Sequence, residues 1–142
     1  MIYKRNASDF MTGSVIVAHA NNTFHHVMTF FTTHKIQHLP VVDGDKLIGI
    51  ISIKDMLGFF AKQLELHPSI SKEELDKHFN IKEVMTPDPV TVEPAASQKE
   101  VLEILAGGKF QAVPVVTKGV IKGIITNKDI SRIYKYDITH IL

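Results

Sequence analysis

Leu39-Pro40-Val41-Val42, a short turn, and then Gly49-Ile50-Ile51-Ser52-Ile53-Lys54-Asp55 form the stretch that decides the fold, because the chain carries it twice. The second copy reads Val113-Pro114-Val115-Val116, a turn, and Gly123-Ile124-Ile125-Thr126-Asn127-Lys128-Asp129. In each copy two β-rich segments run into a hydroxyl residue, with an aspartate three positions later. Working outward, one offset of 74 residues carries Met11-Thr12 onto Met85-Thr86, Gln37 onto Gln111, and Lys54-Asp55 onto Lys128-Asp129. A gapless register across separate motifs marks an internal duplication.

Reading the copies together predicts the elements. Residues 15–18 and 89–92 are short, rich in β-branched side chains and bounded by turn residues, so each is expected to be a strand. A helix follows, with its N-cap expected at Asn21 or Asn22 in one copy and at Ser97 in the other. Ser97-Gln98-Lys99-Glu100 reads as a full capping box. Apolar residues at Phe24, Val27, Met28 and Phe31, and at Val101, Leu102, Ile104 and Leu105, give each helix one buried face. Gly107-Gly108 ends the second helix, and Thr32-Thr33-His34 ends the first less sharply.

Two strands come next, 39–42 with 46–52 and 113–116 with 120–126. Asp43-Gly44-Asp45 and Lys118-Gly119 are turns short enough for hairpins. Pro40 and Pro114 donate nothing to a ladder, so each is expected at a strand start or on an edge. After each aspartate the pattern turns helical, through Met56, Leu57, Phe60 and Leu64 in one copy and Ile130, Ile133 and Tyr134 in the other. Each repeat is therefore β-α-β-β-α, and the chain is α/β (α+β). The expected segments are 1–66 for the first repeat, 67–80 for a connector and 81–142 for the second repeat with its tail. His67-Pro68 stops a helix and Ser71-Lys72-Glu73-Glu74 opens another, whose Leu75 and Phe79 give the connector an apolar side. The tail from Tyr136 to Leu142 is apolar enough to complete the fold or to face a second subunit.

Composition narrows the function. The chain has 142 residues, 44% apolar and 22% charged, which is enough for a core. A formal charge of +1 supplies no bulk field toward nucleic acid or anionic lipid. With no cysteine there is no disulfide and no thiolate metal site. No secretory h-region and no apolar run of membrane-spanning length is visible, so a soluble cytoplasmic protein is expected. The eight histidines include adjacent His25 and His26, and His34 and His38 four apart ahead of a strand; no metal site is expected from them. No nucleophile elbow, phosphate loop or paired acid and base is present, so no catalytic residue and no enzyme activity are expected.

Ser52-x-x-Asp55 and Thr126-x-x-Asp129 stand where a strand ends and a helix begins. The plain reading is a helix cap, with the hydroxyl accepting from an early N–H and the carboxylate favoured by the helix dipole. The same geometry suits a nucleotide. A helix N-terminus beside a hydroxyl receives phosphate, and a carboxylate one turn in accepts from both hydroxyls of a ribose. Lys54 and Lys128 read as solvated, with phosphate attraction as the alternative.

The succession Met-Thr, strand, helix, hydrophobic-Pro-Val-Val, Gly-Ile-Ile-[Ser/Thr]-x-x-Asp resembles the CBS (cystathionine-β-synthase) domain, here as a tandem pair over residues 8–58 and 81–134. The resemblance implies a Bateman module, two repeats about a pseudo-twofold axis with clefts that bind AMP, ADP, ATP or S-adenosylmethionine as a regulatory ligand. It implies one cleft from Ile124, Thr126 and Asp129 with Thr12, Ile16, Val17, Gln37 and His38. Thr126 and His38 would face phosphate, and Asp129 the ribose diol. It implies a second cleft from Ile50, Ser52 and Asp55 with Thr86, Val90, Thr91, Gln111 and Ala112. Because Ala112 stands where the other has His38, the Thr126/Asp129 cleft is expected to be the better site. A homodimer through flanking helices is also implied, with the face holding Met56, Phe59 and Phe60 as its surface. The expected function is a stand-alone sensor of an adenine nucleotide that acts on an effector protein in trans. The alternatives are a dimerising interaction module with empty clefts and, less favoured, an enzyme subunit.

Overall fold

The computed structural model describes residues 4–141. In chain order the elements are α1 (Ala7–Phe10), β1 (Ala18–His19), α2 (Phe24–Thr33), β2 (His38–Asp43), β3 (Lys46–Ser52), α3 (Ile53–Leu66), α4 (Lys72–His78), α5 (Ile81–Val84), β4 (Thr86–Pro87), α6 (Gln98–Ala106), β5 (Ala112–Thr117), β6 (Val120–Thr126) and α7 (Asn127–Ile141). They group into two compact units, Ile16–Pro89 and Met1–Val15 together with Val90–Leu142. These units differ from the segments 1–66, 67–80 and 81–142. Ala7 and Phe10 are buried with Val92, Val101, Val113, Val115 and Ile125, whereas Leu75, Phe79 and Ile81 are buried with Leu39, Ile51 and Met56. The short segment before each repeat follows its apolar residues into a core, and sequence spacing alone does not say which core.

In the unit of residues 16–89, β2 and β3 form the predicted antiparallel hairpin, His38 opposite Ser52 and Asp43 opposite Lys46. Gly44 takes the left-handed conformation in its turn (φ 63°), which glycine adopts without a Cβ penalty. β1 adds in parallel to the far side of β2, Ala18 opposite Val41. The expected strand over 15–18 is therefore mostly absent: only Ala18 and His19 reach partners, and β-branched residues without a neighbour form no ladder. The N-cap of α2 is Thr23 rather than Asn21 or Asn22. Thr23 Oγ1 accepts from His26 N–H at 3.1 Å, while Asn22 Oδ1 is engaged by His19 N–H at 2.7 Å. α2 and α3 cover the core through Phe24, Val27, Phe31 and Met56.

α4 caps on Ser71, whose Oγ accepts from Glu74 N–H at 3.2 Å and donates to Glu74 Oε1 at 3.0 Å. Its Leu75 and Phe79 enter the core, as the connector's apolar side predicted. Phe79 meets the Phe59 ring at 5.2 Å and Phe24 at 5.9 Å between centroids, and Phe60 meets Phe24 at 6.0 Å. Of the face expected to hold a second subunit, Met56 is buried in this core, while Phe59 and Phe60 pack against it and stay partly exposed. Leu57, Leu64 and Leu66 are the large apolar residues that α3 exposes.

The other unit repeats the hairpin, with Ala112 opposite Thr126 and Thr117 opposite Val120. Lys118 and Gly119 both have positive φ (50° and 80°), the signature of a type I′ turn. In place of a strand over 89–92, Val92 alone bridges β5. Its N–H donates to Pro114 O at 3.0 Å, and its carbonyl accepts from Val116 N–H at 2.9 Å. Pro114 therefore turns its donorless nitrogen to this outer side and away from β6, which fits the edge expectation although the residue lies inside the strand. Ser97 caps α6 by accepting from Glu100 N–H at 3.1 Å, but the reciprocal half of the box is not made. Gly108, at φ 78°, ends that helix. α7 continues through the apolar tail as far as Ile141, with Tyr136 stacked on His140 and Ile138 exposed. Leu142 lies outside the described residues.

Candidate functional site

Each unit builds the same small device at a strand-to-helix junction. Ser52 ends β3 and caps α3: its Oγ accepts from Asp55 N–H at 3.0 Å, and Asp55 Oδ2 accepts from Ser52 N–H at 2.9 Å. Thr126 ends β6 and precedes α7, and there Asp129 Oδ2 accepts from Thr126 N–H at 2.9 Å. The aspartates therefore stand one turn inside the positive end of a long helix, as the spacing predicted.

Beside each junction lies the Met-Thr segment, which the sequence reading did not place on a strand. Thr86 pairs with Ile50 and Pro87 with Gly49. Thr12 pairs with Ile124, exchanging both backbone hydrogen bonds at 2.9 and 3.0 Å. The glycine of each Gly-Ile-Ile makes this approach possible. A Cβ on Gly49 would run into Met85 Sδ and stand 2.8 Å from Thr86 O. A Cβ on Gly123 would run into Met11 Sδ and stand 3.0 Å from Thr12 O. Met-Thr and Gly-Ile-Ile are thus two halves of one contact, and their joint repetition follows from it.

The devices differ in what surrounds the aspartate. Asp129 is 2% exposed. Its Oδ1 accepts from Thr12 Oγ1 at 2.7 Å and from Arg132 Nη2 at 2.9 Å. The same Arg132 nitrogen donates to Phe10 O at 3.1 Å, and Arg5 makes a two-pronged ion pair with Asp137 at 2.6 and 3.0 Å. Charged partners of this kind hold the N-terminal segment on α7. Asp55 is only half-buried, and among the described residues its carboxylate accepts from Ser52 N–H alone.

The structure brings Thr12, Ile124, Thr126 and Asp129 together in one unit, and Ile50, Ser52, Asp55 and Thr86 in the other. Ile16, Val17, Gln37 and His38 belong to the unit of residues 16–89, where Gln37 O accepts from Ile53 N–H at 3.1 Å and His38 lies across the hairpin from Ser52. Val90, Thr91, Gln111 and Ala112 belong to the other unit, with Ala112 buried across from Thr126. Arg132 was missed by sequence reasoning. Two signals could have found it: its i,i+3 spacing from Asp129 on the predicted helix, and its replacement by Gly58 at the repeat offset.

A cavity of about 680 Å³ lies elsewhere in the unit containing the termini, between Lys4 and Arg5 and the start of α6 at Gln98, Lys99 and Leu102. None of the hydroxyl-x-x-Asp residues lines it, so this cavity is separate from the two junctions. Among the described residues no three His, Asp or Glu side chains gather to hold a metal, and no helix is long and apolar enough to cross a membrane.

Comparison with known proteins adds the following. The family model described as CBS domain matches residues 7–62 and again 81–136. An inosine-5′-monophosphate dehydrogenase of Korarchaeum cryptofilum is 30% identical over 127 residues, 89% of this chain, and the chain spans 24% of that enzyme's length. A solved protein assigned to acetoin utilization (AcuB) from Vibrio cholerae superposes with a TM-score of 0.80 at 27% identity, over 94% of this chain and 93% of that one. The CBS domain pair of protein MJ0100, solved with 5′-methylthioadenosine and S-adenosylmethionine, superposes with a TM-score of 0.76 at 28% identity, over 95% and 99%.

Proposed function

The chain belongs to the CBS-domain family, and from that premise we propose that it is a regulatory pair of CBS domains that binds an adenosyl ligand and passes the bound state to a partner protein in trans. The observation that carries this reading is the doubled junction: a helix start, a hydroxyl and a carboxylate held one turn in, with a threonine segment alongside. The helix start suits an anionic group and the carboxylate suits a ribose diol. The complex of the MJ0100 CBS pair with two adenosyl compounds supports the ligand class. The MJ0100 chain, matched over 99% of its length, is a CBS domain pair, which supports a regulatory and not a catalytic role.

Regulation follows from differential affinity. A ligand that binds one conformation better draws the population toward it, and the partner reads the surface that results. Equilibrium dialysis against labelled AMP, ADP, ATP, S-adenosylmethionine and 5′-methylthioadenosine tests the reading. Saturable retention of at least one is expected. Retention of none at millimolar concentration would leave the chain as an interaction module.

A further inference from the structure

We infer that the two junctions are not equivalent sites: Arg132 latches the Asp129 junction shut, and the first adenosyl ligand is received at Asp55. The inference rests on the ligand-binding reading above and reverses the expected order of the sites.

An ionised carboxylate offers about four acceptor positions. At Asp129 these meet Thr12 Oγ1 at 2.7 Å, Arg132 Nη2 at 2.9 Å, Thr126 N–H at 2.9 Å and, more loosely, Thr126 Oγ1 at 3.4 Å. A ribose diol brings two donors and finds nowhere to place them without expelling protein groups. Expelling Arg132 also breaks its bond to Phe10 O, so the loss is shared with the N-terminal segment. At Asp55 the count runs the other way. Ser52 N–H occupies one position, and no other donor among the described residues reaches the carboxylate. The repeat offset explains the difference in one substitution: the place of Arg132 is taken by Gly58, an exposed helical residue with open space around it. Thr86 occupies the place of Thr12 but makes no side-chain hydrogen bond to Asp55.

Arg132 is therefore the residue that determines which site fills. Calorimetric titration of the full chain with 5′-methylthioadenosine, repeated with AMP, tests this. The expected wild-type stoichiometry is one. Asp55→Asn weakens binding by about tenfold or more, the loss of a charge-assisted bond. Arg132→Ala adds a second equivalent, which a merely structural arginine would not do. Gly58→Arg, at a position where arginine is the better helix former, weakens the first site. A melt of each variant verifies folding. Binding that survives Asp55→Asn, or an Arg132→Ala stoichiometry that stays at one, overturns the inference while the ligand-binding reading stands. No heat from either ligand with the wild type and with Arg132→Ala overturns both.

Discussion

Two aspartates at equivalent places in the repeat, Asp55 and Asp129, have different tasks in the structure. Asp129 is buried and receives a hydroxyl, a backbone N–H and a guanidinium, so replacing it with alanine strands those donors. Asp129→Ala is expected to lower unfolding stability by about 1–3 kcal/mol in urea titration. Asp55→Ala removes a favourable charge at a helix start and is expected to lose only about 0.3–1 kcal/mol. Equal losses would mean that the two junctions are built alike. The capping role of both residues was legible in the sequence because it depends on local spacing. Thr12 was assigned to the Asp129 site by family likeness, and its hydroxyl does reach that carboxylate. Burial was not legible, since it arises from segments far apart in the chain, and the arginine partner, only three residues further along α7, belongs to no motif.

At the scale of elements, the hairpins were the most legible feature, because turn chemistry and β-branched runs specify them locally. The first strand of each repeat was misread because strand propensity does not supply a neighbour. The Met-Thr ladder was missed for the converse reason: its pairing depends on a glycine across the sheet. Gly123→Val is expected to push Met11 and the Thr12 backbone off β6 and to lose about 1–3 kcal/mol, read as a lower urea midpoint. An unchanged midpoint would show that the contact is slack.

The connector helix α4 has an acid-sensitive hold. Burial acts to raise the pKa of Asp76, but hydrogen bonds from the His25 ring at 2.7 Å and backbone N–H at 3.0 Å outweigh it and hold the carboxyl below its usual range. A depressed folded-state pKa contributes stability above the unfolded value of 3.8, and that stability is lost as pH falls through the folded one. Wild type should therefore lose more stability than Asp76→Asn between about pH 5 and about pH 2. Parallel curves would remove His25–Asp76 from the account.

At the scale of the whole molecule, duplication was plain from the sequence, while the division into units was not. The segment before each repeat carries a few apolar residues, and sequence position does not reveal which core receives them. Phe10, far from residues 90–142 in sequence, is buried among them. Phe10→Ala should destabilise the protein by about 3–5 kcal/mol, measurable by denaturant melts. A loss below about 1 kcal/mol would be that of a surface residue and would contradict this assignment.

The central claim is that the duplicated junction exists to receive an adenosyl ligand. The melting temperature of the full chain, taken with and without S-adenosylmethionine, 5′-methylthioadenosine and AMP, addresses it most directly, because any ligand that prefers the folded state stabilises it by mass action. At a concentration near a hundred times Kd, the account predicts a rise of about 5–10 °C with at least one of them. A melting temperature that stays fixed with all three at millimolar concentration would contradict it.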